Sequence, residues 1–227
     1  MNLMSRVQLK DRVLPTYTRG EEIFNMVTHI VGAVLGVVAL VLCIIFSCLH
    51  HNGYALFSSI VYGISMIVLY TMSAIYHGLY PTLKAKKVFQ ILDHCTIFVL
   101  IAGTYTPILL CSIRPVDPVS GWVLFFVVWI LSIIGIVLNA IDIKSFSKLS
   151  MLLYLGLGWC IVFKINLLPL TIGWHGIYLL VAGGLAYTIG VIFYALEHKI
   201  KYMHSIWHIL IIIGSLCHFL CILLYVI

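Results

Sequence analysis

The chain has 227 residues, 63% of them hydrophobic and only 9% charged, where a soluble domain carries about 25% charged residues. A mean hydropathy of +1.16 excludes a water-soluble globule and calls for a nonpolar solvent, which means a bilayer. The net charge of +6 would suit a nucleic-acid binder only if the basic residues shared one face; they are dispersed through short links, so no nucleic-acid partner is expected.

Residues 1–22 are polar and charged and are read as a cytoplasmic tail ahead of one transmembrane domain over 23–227. A cleavable export signal is not expected, because the apolar run that follows is too long and lacks a small-residue cleavage site. Seven continuous apolar runs then follow, at about 23–49, 54–80, 91–112, 121–141, 149–168, 174–196 and 203–227. Each has the length of about 20 residues that a helix needs to cross a bilayer. The runs are continuous rather than alternating, which argues against strands. The intervening breaks carry turn chemistry: His51-Asn52-Gly53, Pro81, Pro115 to Pro118, and Asp142 to Lys148. The expected fold is therefore an all-α integral membrane protein, a seven-transmembrane-helix bundle. Within it, Gly103-Thr104-Tyr105-Thr106-Pro107 should kink the third helix. Gly183-Gly184 should let the sixth pack closely, and Lys164 should snorkel out of the apolar layer. The seven cysteines, Cys43, Cys48, Cys95, Cys111, Cys160, Cys217 and Cys221, all fall in apolar runs without a C-x-x-C, and read as small hydrophobes.

Orientation follows from the basic residues. Arg6, Lys10, Arg12 and Arg19 precede the first helix. Lys84, Lys86 and Lys87 follow the second, Lys144 and Lys148 the fourth, and Lys199 and Lys201 the sixth. Eleven of the thirteen Lys and Arg residues thus fall on one side, leaving Arg114 and Lys164 for the other. This places the N-terminus in the cytoplasm and, with seven crossings, the C-terminus outside.

Ionisable groups inside membrane helices are costly and call for a reason. The first helix opens with Glu22, Asn25 and His29 on one face, and the second closes with Ser73 and His77, one turn apart. The third opens with Asp93 and His94, and the seventh with His204 and His208, again one turn apart. Given the orientation, all four groups share one depth in the cytoplasmic leaflet, although they are scattered along the sequence. Such convergence implies a single site. His204 and His208 can chelate a metal together, His77 supplies a third nitrogen, and three neutral imidazoles leave the fourth tetrahedral position open, as in catalytic zinc sites. Asp93 is placed to hold water or take its proton, and Ser73 to orient the site or bond a substrate oxygen. His29 is a rival ligand, while Glu22 and Asn25 are read as ties between helices. His94 is read as an interhelical hydrogen-bonder. His218, fourteen residues beyond His204, is about 21 Å away along the helix and too far for the same metal. His50, His51, His175 and His198 are read as solvated.

Glu22-x-x-Asn25-x-x-x-His29, Ser73-x-x-x-His77 with Asp93 sixteen residues on, and His204-x-x-x-His208 resemble the three motifs of the hemolysin III family, the bacterial branch of the progestin and adiponectin receptor family. Ala102 to Pro107 and the short tails resemble that branch as well. The resemblance implies seven helices with an internal N-terminus, zinc on His77, His204 and His208, and Asp93 next to the reacting water. Alkaline ceramidases belong to the wider superfamily, which implies hydrolysis of a lipid amide.

Two function classes follow. One is a zinc-dependent lipid amide hydrolase in the cell membrane, with membrane lipids as substrate and a role in membrane homeostasis. The other is a non-enzymatic membrane protein, either a sensor with a structural zinc or a cytolysin (a hemolysin proper). A secreted pore-former needs a soluble form before insertion, which a chain apolar throughout does not offer. An open fourth ligand position separates the first class from the sensor, because structural zinc is usually closed by four protein ligands.

Overall fold

The computed structural model describes residues 9–227, so Arg6 of the basic tail lies outside the described residues. A short 3-10 turn, Leu9–Asp11, precedes eight α-helical elements. These are α1 (Arg19–Leu49), α2 (Gly53–Gly78), α3 (Lys84–Pro107), α4 (Arg114–Val116), α5 (Pro118–Gly158), α6 (Leu168–Thr171), α7 (Gly173–Leu196) and α8 (Met203–Tyr225). No strand occurs among the described residues.

The helix starts correct the sequence reading. α1 begins at Arg19 rather than 23 because Thr18 and Glu21 form a capping box. The Thr18 hydroxyl and backbone N–H both donate to Glu21 Oε2, at 2.7 and 2.8 Å, and Glu21 N–H donates back to Thr18 Oγ1 at 3.3 Å. α3 begins at Lys84 rather than 91, so Lys84, Lys86 and Lys87 occupy its first turn and not a loop. Hydropathy registers only the part of a helix within the hydrocarbon, and misses polar turns that continue beyond it. α2 ends as expected just before Pro81. The predicted kink in the third helix takes the form of a π-helical stretch, Ile108–Ile113, directly after Pro107.

Among the described residues, six helical stretches are long and apolar enough to cross a membrane, and one of these, Pro118–Lys164, has 47 residues. At 1.5 Å per residue it is about 70 Å long, enough for two crossings. It does fold back. Asp142 has extended backbone angles (φ −162°, ψ 105°). Asn139 then meets Ser150 at 2.6 Å and Tyr154 at 2.9 Å, residues a straight helix would hold about 16–23 Å away. The Asp142 carboxylate caps the second arm by accepting from Lys144 N–H, Ser145 N–H and the Ser145 hydroxyl. The two arms of α5 are the fourth and fifth predicted helices, and the expected break at Asp142 to Lys148 shrinks to one residue. The second arm gives way to a 3-10 turn at Cys160–Lys164, so the fifth helix is shorter at its end than predicted.

α1 packs between α2 and α8, α8 also against α7, and α3 between α2 and α5. The polarity is inverted relative to a soluble bundle. α1 turns Val27, Val31, Val34, Val38, Val41 and Ile45 outward, and buries Asn25, His29 and Ser47. Such a distribution belongs to a multi-pass membrane protein. Glycine admits the closest contacts. A Cβ on Gly103 would lie 2.1 Å from Ser65 Oγ on α2, and one on Gly183 would lie 2.4 Å from the His218 ring on α8. At the end opposite the basic residues, Lys164 reaches out to Asp117 at 3.1 Å. Hydrogen bonds from Ser120 and Lys164 hold the partly exposed Asp117 carboxyl at about 2.

The charge asymmetry yields a direct check. Reporters or single cysteines at residues 82–83 are expected to lie on the cytoplasmic side, and those at 113–120 outside, in impermeant-reagent labelling. An external 82–83 would put His77 at the opposite surface from the one the charges assign.

Candidate metal centre

The three predicted histidines meet. His77 comes from the last turn of α2, His204 and His208 from the first turns of α8, and one ring nitrogen from each lies within 4.8 Å of the other two. His204 Nε2 is 3.3 Å from His77 Nε2 and 3.0 Å from His208 Nε2. All three side chains are buried.

Their outer edges explain why the Nε2 atoms converge. His77 Nδ1 is 2.6 Å from Glu22 Oε2, and His204 Nδ1 contacts Glu197 Oε2. A carboxylate accepts but cannot donate, so each Nδ1 carries a ring proton, and in the neutral ring that metal binding requires each Nε2 keeps its lone pair free. Nitrogens so placed, 3.0–3.3 Å apart, could share a cation. This carboxylate–histidine arrangement orients imidazoles for a metal and makes them better donors. Charge agrees. Lys86, 1% exposed, offsets Glu22 at 2.7 Å. Asp93 and Glu197 are left as two further buried carboxylates around imidazoles that must be neutral to bind metal. A divalent ion would offset negative charge gathered at this end, and three neutral imidazoles are a donor set that fits zinc.

The other predicted residues surround the triad in different roles. Glu22 bridges His77 and Lys86. Asn25 Oδ1 accepts from the Ser205 hydroxyl at 2.7 Å, joining α1 to α8. His29 does not join the ligand cluster; its ring stacks on His208 with centroids 3.6 Å apart, and neither nitrogen has a hydrogen-bond partner among the described residues. Asp93 is 5% exposed and stands outside the cluster. Ser73 lies beside it, its hydroxyl buried without a hydrogen bond of ordinary geometry. His94 Nδ1 meets Gln90 O of its own helix at 2.9 Å, and its Nε2 lies 3.4 Å from the Tyr194 hydroxyl on α7, the interhelical contact expected of it. His218 binds Leu180 O at 3.2 Å, away from the triad.

Three participants escaped the sequence reading. Lys86 had been counted only as a topology signal, Glu197 sits in the link between α7 and α8, and Tyr17 belongs to the supposed tail. A signal did exist: the chain has seven acidic residues, and Glu21, Glu22, Asp93 and Glu197 gather at this one end. Burial alone would raise the Glu197 carboxyl, but the His204 and Tyr17 hydrogen bonds hold it below the usual range, so it is ionised. Burial and the nearby Glu197 charge push the Tyr17 phenol far up, so it stays a donor.

A strongly apolar cavity adjoins the site. Asp93, His29 and Tyr194 form part of its wall, and it continues between α3, the second arm of α5, α7 and α8, past Ile101 and Leu155 to Leu168.

The Glu22 contacts make a stability prediction. Glu22→Ala strands a buried lysine and is expected to cost about 3–5 kcal/mol, read as a lower melting temperature in detergent. Adding Lys86→Met should recover part of that loss.

Residues 17–219 match the sequence model of a family described as "Haemolysin-III related". The chain is 42% identical over 206 residues to "Hemolysin-3" of Bacillus cereus, covering 91% of this chain and 92% of that protein. It is 38% identical over 209 residues to "Hemolysin-3 homolog" of Bacillus subtilis (strain 168), covering 92% and 96%. A more distant similarity, 24% over 163 residues, is to the human "Monocyte to macrophage differentiation factor", covering 70% of this chain and 66% of that protein.

Proposed function

The chain belongs to the haemolysin-III-related family of membrane proteins, and on that premise we propose that it is a zinc-dependent hydrolase of membrane lipids, cleaving an acyl amide close to the headgroup in the inner leaflet of the plasma membrane. The observation that carries this reading is the adjacency of a three-histidine cluster and a wall of apolar side chains. Asp93 belongs to that wall, and so does His29, which stacks on the ligand His208.

His77, His204 and His208 would hold the metal, and an all-imidazole donor set favours zinc, copper, nickel or iron over magnesium and calcium. Zinc bound there would act as a Lewis acid on a carbonyl and lower the pKa of water. The protein supplies the rest. Three ligands leave one face of a tetrahedral ion for water and substrate. Asp93, outside the ligand cluster, is the base that takes the proton of the attacking water. Ser73, with a free buried hydroxyl, donates to the substrate's oxygen. The cavity between α3, α5, α7 and α8 takes the hydrocarbon chain and keeps bulk water out.

The test is direct. Purified protein would be incubated with N-acyl lipids and the matching esters in mixed micelles, and released fatty acid followed by mass spectrometry. Release should stop with a chelator and return with zinc. Zinc-loaded protein that releases fatty acid from no acyl lipid would leave the non-enzymatic reading, a sensor with a structural metal.

A further inference from the structure

Residues 9–18, ahead of α1, are tied to the bundle at several points. The Leu9–Asp11 turn rests on α3, Arg12 Nη2 donates to Ile141 O at 3.2 Å where α5 reverses, and Thr18 caps α1. Between these anchors Tyr17 comes to lie on the triad. Its ring centroid is 4.9 Å from that of His204 and 5.8 Å from that of His77. Its hydroxyl donates to Glu197 Oε2 at 2.9 Å, the same oxygen that faces His204 Nδ1, and lies 3.1 Å from that nitrogen itself.

We infer that Tyr17 is a positioning residue of the metal centre, which makes the N-terminal arm part of the site. The inference rests on the metal reading of the triad. Glu197 is the C-cap of α7, one residue past its last full helical residue, where the chain leaves the helix toward α8. Among the described residues, its other oxygen faces the exposed ring of His198, at 3.5 Å. The Tyr17 hydroxyl donates to Oε2 and so helps to hold it against His204. That bond keeps the His204 proton on Nδ1 and its Nε2 directed at His77 and His208. Tyr17 acts on His204 chiefly through Glu197 and also through its own contact with Nδ1, while its ring covers the basic-end face of two ligands. Groups of this kind typically change metal affinity 10–100-fold when removed.

The experiment uses the full chain in detergent, loaded with zinc and titrated against a competing chelator, with affinity and rate of zinc loss both measured. Tyr17→Phe removes the hydroxyl and keeps the ring, and should weaken zinc about 10-fold. Tyr17→Ala also uncovers the ligands, and should add a faster loss to the chelator. In a Glu197→Ala background Tyr17→Phe should cost clearly less than it does alone, because the route through Glu197 is gone and only the direct contact with His204 Nδ1 is left to lose. Melting of the zinc-free proteins should be the same for wild type and Tyr17→Phe, which separates positioning from a general structural role. Wild-type affinity in Tyr17→Phe, or a full additional loss in the Glu197→Ala background, overturns the inference alone. A wild-type chain that takes up no zinc overturns the metal reading and this inference with it.

Discussion

Asp93→Asn is expected to keep its zinc and lose about 10²–10⁴-fold in lipid hydrolysis, the usual contribution of a general base. The side chain is 5% exposed, stands outside the three-histidine cluster, and lines the cavity proposed for the substrate. An amide has nearly the shape of a carboxylate but cannot accept the proton. Metal content by mass spectrometry and initial rates of fatty acid release check the two halves separately. Loss of zinc together with activity would make Asp93 a fourth ligand and point to a closed, structural metal. Full activity with zinc retained would remove the base from the proposed mechanism.

The second large effect concerns the ligands. Wild-type protein should carry about one zinc per chain, as a single three-ligand site requires. His204→Ala and His208→Ala should each remove most of it, a greater loss than the 10–100-fold expected from outer-shell changes, and His77→Ala should reduce metal and hydrolysis together. His218→Ala should retain the metal, because that ring is bonded to Leu180 on α7 and takes no part in the cluster. Equal depletion in the His204 and His218 variants would mean that the metal sits elsewhere.

The histidine triad was legible in the sequence because a bilayer turns position along a helix into depth. Once the basic residues oriented the chain, His77 near the end of one helix and His204 near the start of another had to lie at one level. Depth does not specify azimuth, however. His29 shares that level and was a rival ligand; only the packing of α1 against α8 turns its ring face-on to His208 instead of aiming a nitrogen into the cluster. Glu197, Tyr17 and Lys86 were missed for a related reason. Each lies outside an apolar run, where neither periodicity nor hydropathy carries information. The partners are distant in sequence, too: Tyr17 and His204 are 187 residues apart, Lys86 and Glu22 64.

By itself the sequence determined the solvent, the apolar helices, the asymmetry of basic charge and the shared level of the three histidines. All of these depend on composition and order along one axis, which the bilayer's fixed thickness reads out. Tertiary structure alone decided the one-residue reversal at Asp142, the stacking of His29, the carboxylate partners of His77 and His204, and the arm that brings Tyr17 onto the site. Those features are relations between side chains on different elements, and they exist only once the helices have taken their places around one another.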